Sequence, residues 1–477
     1  MTVEWLTRLQ FMLAVSFHYF FPPLTLGLGV CMLISQGLYL QSGQLKYRQM
    51  TQFWMRIFTV IFSIGASSGF ILKYEFSTRW SVYNHFIHQF FSNAATTEAV
   101  SSFLIEASLI TILLYGWKQL NKFLYFLLLL IAVVIPHFNA AWIVIVNSWQ
   151  QTPQGFKIIG QGAQAYAHIL DYQAMLFNPS SIQRISHVFT AAWLTGSCLL
   201  SSLGAYYYLR KKYLKLAITS LNIGLPTTAI FTILHLLTGH LSAVCCAEHQ
   251  PVKLAAMEGH FDSQQSANLY LFGWIDEKNH HTYGLYIPNG LSFLAKGHWN
   301  DKILGLNQIE KINYPPLNLV FQAYHLMVIL GLGIILFNMT GLWVWYSKKI
   351  CKSLDYQDKK YFIFRNGRQT VLKGLQFIFL LPIIANQVGW YTTEIGRQPW
   401  LVYGLLRTTH GLTLSLKVHE LQQSLIYYTA LYFALGTIAI LMLVQIIQKG
   451  PLFLQRVKLA KLDSQLLIKA VYVDSLL

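Results

Sequence analysis

Six side chains able to bind a metal or move a proton, His18, Glu98, Glu106, His187, Met327 and Glu394, and one cation, Arg397, lie in or beside the most apolar stretches of this 477-residue chain. Ionisable groups in such surroundings are costly and are usually retained for a task. Neutral imidazole and thioether are suitable axial ligands of haem iron, and carboxylates can carry protons or bind a metal weakly. Glu394 and Arg397 are spaced i, i+3, so one helical turn brings the cation onto the carboxylate. Glu106 follows Glu98 by eight residues, which on a helix is ~12 Å along the axis and roughly 80° around it. A separate polar segment carries Lys253 and Glu258, which by themselves read as an ordinary loop charge pair.

The elements that must position these groups are membrane helices. The chain is 54% hydrophobic and 11% charged, which places it in the membrane class. Apolar runs near 11–36, 53–72, 94–116, 123–147, 186–207, 215–240, 319–345, 371–391 and 427–448 have the ~20-residue length that spans a bilayer. The eighth is interrupted by Gln376, Pro382, Asn386 and Gln387. The expected fold is an all-α integral membrane protein, a bundle of about nine transmembrane helices forming a single domain over 1–477. The polar segment 241–318 is its one long extramembrane loop. Of the 35 Lys and Arg residues, 22 fall in alternate short connections and the C-terminal tail, so the N-terminus lies outside and the C-terminus inside. The net charge of +17 then reads as a basic inner rim against anionic lipid. Nucleic-acid binding does not fit, because no basic stripe interleaves with aromatics on a soluble domain. Cys31, Cys198, Cys245, Cys246 and Cys351 form no disulfide or metal pattern.

Threaded this way, His18, Glu98, His187, Met327 and Glu394 all fall near the outer ends of their helices. Any one of them alone has an ordinary packing explanation. Their coincidence at one depth points to haems lying near one bilayer face, with Glu106 deeper, on the route that protons from the inside would take.

These residues sit in strings that carry a family resemblance. Thr7-Arg8-Leu9-Gln10-Phe11 leads through His18 to Pro23-Leu24-Thr25-Leu26-Gly27, and Gly396-Arg397-Gln398-Pro399-Trp400 follows Glu394. With Thr78-Arg79-Trp80-Ser81, Asn147-Ser148-Trp149-Gln150-Gln151-Thr152-Pro153, Lys253-Leu254-Ala255-Ala256-Met257-Glu258 and Gly389-Trp390, the chain closely resembles subunit I of the cytochrome bd-type quinol oxidases, in order and over nearly its whole length. The connection between the sixth and seventh helices resembles that of the short-loop members.

The resemblance implies a catalytic subunit in the bacterial cytoplasmic (inner) membrane. Such a subunit oxidises membrane quinol at the outer face and reduces dioxygen to water with protons from the inside, generating a proton motive force without pumping. Three haems are implied: a low-spin haem b, a high-spin haem b, and a third that is haem d or a further b-type haem. His187 and Met327 resemble the axial pair of the low-spin haem. His18 resembles an axial ligand in the oxygen-reducing pair, with Glu98 and Glu394 as carboxylate partners; which haem belongs to His18 and which to Glu394 stays open. Arg397 and Trp390 resemble residues around those haems, Glu106 a proton relay, and Lys253 and Glu258 the quinol-site pair. A second multi-helix subunit and small single-helix subunits are the implied partners.

Some positions depart from the family pattern. In the stretch Lys73-Tyr74-Glu75-Phe76, Lys73 holds the place of the acid of the usual Met-Glu-Phe-Gln and Glu75 follows it, so the acid has moved by two residues. His325 stands where an Arg commonly precedes the Met ligand and stabilises the reduced haem, which makes that charge titratable. Ala107 and Asn139 replace hydroxyl residues on the inner proton route. Two other classes are weighed against this reading. A membrane cytochrome b without oxygen chemistry usually holds its haems between His pairs at two depths. A secondary transporter places its coupling acids at the midplane between inverted repeats, and no such repeat is evident.

Overall fold

The computed structural model describes residues 2–90, 93–347 and 359–451, with the side chains of 93–102 and 359–366 outside that description. The principal helices are α1 (Val3–His18), α2 (Phe21–Ser42), α3 (Leu45–Arg79), α4 (Asn93–Tyr115), α5 (Lys122–Gln151), α6 (Ser181–Leu209), α7 (Leu214–His249), α8 (Pro251–Glu258), α9 (Leu317–Tyr346), α10 (Lys359–Leu375), α11 (Leu380–Ile395) and α12 (Val418–Lys449). Among the described residues, seven spans are long and apolar enough to cross a membrane, with α1 and α2 counted as one. An eighth arises if the bent pair Gly367–Leu375 and Leu380–Ile395, at 41°, is one span. The expected nine include α4, whose N-terminal side chains are not described.

Breaks within spans follow from local chemistry. The first apolar run is divided at Tyr19-Phe20, and Pro22 and Pro23 occupy the first turn of α2, where a missing N–H costs nothing. His18 thereby becomes the last residue of α1. The eighth run is bent where its polar residues begin. Pro136 in α5 and Pro226 in α7 each remove one intrahelical donor without ending the helix.

Close backbone contact fixes α2 against α6. A Cβ on Gly27 would lie 2.1 Å from the Ala192 carbonyl oxygen, and one on Gly196 would lie 2.2 Å from Gly27 C. Small residues at such a crossing let dispersion hold two helices where no hydrophobic force acts between them. Leu28, Met32, Phe53, Trp54, Phe58, Leu200 and Tyr207 form the main apolar core beside this crossing.

The long connection starts later than the expected residue 241. Leu241, Ala243, Val244, Cys245, Cys246 and Ala247 keep α7 helical to His249. Pro251 then disfavours helical geometry at Gln250, whose φ is −138°. The connection therefore spans 250–316. It contains α8, an antiparallel hairpin of Leu269–Asp276 with His281–Ile287, and the short helix Gly290–Lys296. Strands among the described residues are confined to four two-stranded sheets, all in connections.

Candidate functional site

A cavity of about 1880 Å³ opens chiefly between α1, α2, α3, α4, α5, α6 and α11. His18, Tyr19, Glu106, Asn139, Glu394, Arg397 and Trp390 all contribute to its wall. It is larger than the ~300–1,000 Å³ of an ordinary small-molecule site, so it has room for more than one large group. His18 Nδ1 lies 3.0 Å from Ser68 Oγ. Such an outer-shell partner on one ring nitrogen orients the ring and leaves Nε2 as the natural ligand. The Trp390 ring packs 5.0 Å from that of Tyr19, so α11 is registered against the end of α1.

Glu394, in the last turn of α11, is the centre of a polar array. Arg397 Nη2 donates to its Oε2 at 2.6 Å, and Asn147 Nδ2 donates to its Oε1 at 2.8 Å. Arg184 donates in turn to Asn147 Oδ1, Arg397 Nη1 to Gln150 Oε1 at 2.8 Å, and Gln150 to the Tyr83 hydroxyl. Arg397 is 3% exposed, so this ion pair lies inside the protein, where breaking one partner is strongly destabilising. Each carboxylate oxygen retains a second lone pair, and Arg397 Nε has no hydrogen-bond partner among the described residues.

Glu106 is buried and accepts from Asn139 Nδ2 at 2.8 Å. Asn139, expected to serve the proton route through water, therefore bonds the acid directly. Glu98 is on the same helix, but its side chain lies outside the described residues.

His187 and Met327 are not part of the cavity wall, although Val188 is. Both of their helices, α6 and α9, pack against α11. His187 stacks on His235 of α7 at 4.2 Å, and Thr190 and Thr238 crosslink the two rings. A Cβ on Gly389 would lie 2.9 Å from Met327 Sδ, so the glycine before Trp390 makes the space that the thioether occupies. His325 directs its ring away from that space: Nδ1 is 2.8 Å from the Phe321 carbonyl oxygen and Nε2 is 2.9 Å from that of Tyr270 in the hairpin.

Lys253 and Glu258 lie on α8, and both are buried. The Lys253 ammonium donates to Gln151 Oε1 at 3.2 Å and to the Thr393 carbonyl at 3.1 Å, one residue from Glu394. Burial pushes its pKa down to about 8. Glu258 accepts from the Tyr324 hydroxyl, and its Oε2 has no partner among the described residues. Burial pushes its carboxyl up to about 8, against the opposing effect of the Tyr324 hydrogen bond.

With this geometry in view, the chain matches the family model of cytochrome bd terminal oxidase subunit I over residues 6–451. The chain belongs to that family. It is 29% identical to cytochrome bd ubiquinol oxidase subunit 1 of Bacillus subtilis, over 93% of each chain. It is also 29% identical to cytochrome bd-II ubiquinol oxidase subunit 1 of Escherichia coli, over 90% of this chain and 93% of that one. The structure of the bd oxidase from Geobacillus thermodenitrificans aligns with a TM-score of 0.82 at 26% identity, covering 94% of this chain and 99% of the other.

As a bd-family subunit I, the chain is a multi-pass membrane protein of a terminal oxidase, and haem is the cofactor its family implies. The residues present fit that group. Among the described residues no three His, Cys, Asp or Glu side chains converge as a bare metal site. The His18 imidazole, the Glu106 and Glu394 carboxylates and a buried Arg397 nitrogen that has no partner among the described residues instead line a large hollow. Lys73, at the place of the usual acid, lines this cavity. Glu75 is fully buried, and neither of its oxygens has a partner among the described residues. Sequence reasoning passed over Arg184, Tyr324 and His235. Arg184 carried one signal, a cation three residues before His187 at the edge of the apolar run 186–207. The other two carried no signal beyond residue type.

Proposed function

We propose that this chain is the catalytic subunit of a quinol:oxygen oxidoreductase, oxidising membrane quinol at the outer face and reducing dioxygen to water with protons drawn from the inside. In this reading the N-terminus is outside, the C-terminus inside, and charge separation across the membrane needs no pump. The observation that carries it is the single cavity in which His18, Glu106, Glu394, Arg397 and Trp390 meet. A second multi-helix subunit completes the complex, together with small single-helix subunits.

Haem iron, when bound, supplies one-electron transfer and dioxygen binding. His187 and Met327 would hold a low-spin haem b, a pair that leaves no open position and suits electron transfer. His18 and Glu394 would serve a high-spin haem b and a third haem of d or b type, and Glu98 is assigned with Glu394 as a carboxylate partner of that pair. Arg397 fixes Glu394 through the 2.6 Å ion pair and keeps Nε free for a propionate, which suits its planar fork. Trp390 packs on Tyr19 and walls the hollow.

At the quinol end, Glu258 accepts a hydroxyl proton on Oε2, the oxygen without a partner, while Tyr324 holds the other oxygen. A base with a pKa near the working pH is well matched to that task. Lys253 braces α8 against the Thr393–Glu394 turn. On the inner side, Glu106 passes protons toward the cavity, held in place by Asn139.

The purified complex decides the matter. It is expected to show low-spin and high-spin haem bands on reduction and to consume oxygen with quinol. Haem without quinol-driven oxygen uptake would favour the membrane cytochrome b reading, and absence of haem would favour a transporter.

A further inference from the structure

Three residues of α9, Asn318, Gln322 and His325, are spaced i, i+4, i+7 and share one helix face. All three bind the backbone of one hairpin strand. Asn318 Oδ1 accepts from the Ile275 N–H at 3.0 Å, and its Nδ2 donates to the Ile275 carbonyl at 2.8 Å. Gln322 Nε2 donates to the Gly273 carbonyl at 2.8 Å, and His325 Nε2 is 2.9 Å from the Tyr270 carbonyl oxygen. Alternate residues of a strand face alike, so after Ile275 and Gly273 the next carbonyl in phase would be that of Leu271. The register shifts between Tyr270 and Phe272. Such a bulge slips the phase by one residue and puts the Tyr270 carbonyl in third place.

The strand's other edge pairs with His281–Ile287. From there Thr282, itself buried, donates its hydroxyl to the Gly259 carbonyl at 2.6 Å. Gly259 has φ +64°, and a Cβ on it would lie 2.6 Å from Thr282 Oγ1, so only glycine fits that turn. Gly259 directly follows Glu258. Contacts thus run unbroken from α9, through both hairpin strands, to the turn that ends α8, and Tyr324 of α9 meets Glu258 at the far end.

We propose that this hairpin is a splint. Asn318, Gln322 and His325 dock it on α9, and Thr282 passes that docking to Gly259, so that Glu258 is held in register with the helix carrying Met327. The four are positioning residues for quinol oxidation, and His325 serves by binding the hairpin backbone. The inference rests on the reading of Glu258 as the quinol-proton acceptor.

The test uses the haem-loaded complex. Asn318→Leu and His325→Leu should raise amide hydrogen exchange across 269–276, most of all at Ile275 for Asn318→Leu. His325→Gln, which keeps an N–H donor, should restore protection. Each loosening variant, and Thr282→Val, should raise the quinol KM about fivefold, the equivalent of one hydrogen bond, with kcat and the low-spin haem spectrum nearly unchanged. Unchanged exchange in Asn318→Leu, or raised exchange with an unaltered KM, overturns the splint. A Glu258→Gln variant reduced by quinol at the normal rate overturns instead the quinol reading beneath it.

Discussion

Tyr324→Phe deletes one hydroxyl and measures how Glu258 works as a base. Burial raises the Glu258 carboxyl to about 8, and the Tyr324 hydrogen bond opposes that rise by favouring the ionised form. Only the ionised form accepts a proton, so below that pKa the rate of haem reduction by quinol falls about tenfold per pH unit. Losing the hydroxyl leaves burial unopposed, and the midpoint must move up. A hydrogen bond to a charged group contributes about 1.5–3 kcal/mol, and one pH unit corresponds to about 1.4 kcal/mol. Water entering the vacated space returns part of this, so the expected shift is about one unit. The assay is stopped-flow reduction of the haems by quinol across the neutral and alkaline range, read as the ratio of variant to wild type. Taking the ratio cancels the titration of Lys253, whose pKa is also near 8. The ratio should be about one tenth at neutral pH and approach unity well above the shifted midpoint. A ratio that stays constant with pH would refute the role given to Glu258 and Tyr324, as would a wild-type pH limb that survives in Glu258→Gln.

Three further outcomes are expected. His187→Ala and Met327→Leu should each remove the low-spin haem signal while the high-spin spectrum persists, and an intact low-spin signal in both would exclude this ligand pair. Gly389→Ala puts a Cβ 2.9 Å from Met327 Sδ, so optical spectra should show a perturbed low-spin haem in a complex that still contains all its haem. Glu106→Gln keeps an acceptor for Asn139 but has no transferable proton; stopped-flow should find reduction by quinol intact and reaction with oxygen lost, and the reverse pattern would exclude the inner route.

The helices were legible because a hydrocarbon-spanning run announces itself by length and composition, and even the weak eighth run was readable from Gln376, Pro382, Asn386 and Gln387. Helix ends were less so. α7 continues to His249 because 241–247 stays apolar, and no residue before Pro251 opposes a helix. Among the residues that line the cavity, His18, Glu106, Glu394 and Arg397 stood out in the sequence by type, since ionisable groups in or beside an apolar segment are seldom there without cause. Their partners did not. Asn147 and Glu394 are 247 residues apart, and nothing local to either shows that they meet. Tyr324 and His235 have side chains that ordinary packing also uses, so only their neighbours distinguish them. The orientation of His325 depended on a bulge in a hairpin that the alternation of its strands did not reveal.

The large hollow also bears on how the protein is made. Folded interiors are packed about as densely as organic crystals, whereas here α1, α2, α3, α4, α5, α6 and α11 share the wall of a space of about 1880 Å³. The register of α11 against α1 rests on the Tyr19–Trp390 pair, the contact of the Ser16 and Tyr391 hydroxyls at 2.7 Å and the Gln387 bond to the Ser16 carbonyl. A group bound there would touch several of these helices at once and so would add to the scaffold during biogenesis. A cell short of haem would accumulate a loosened bundle open to quality-control proteolysis, so cofactor supply would set the amount of subunit in the membrane as well as its activity.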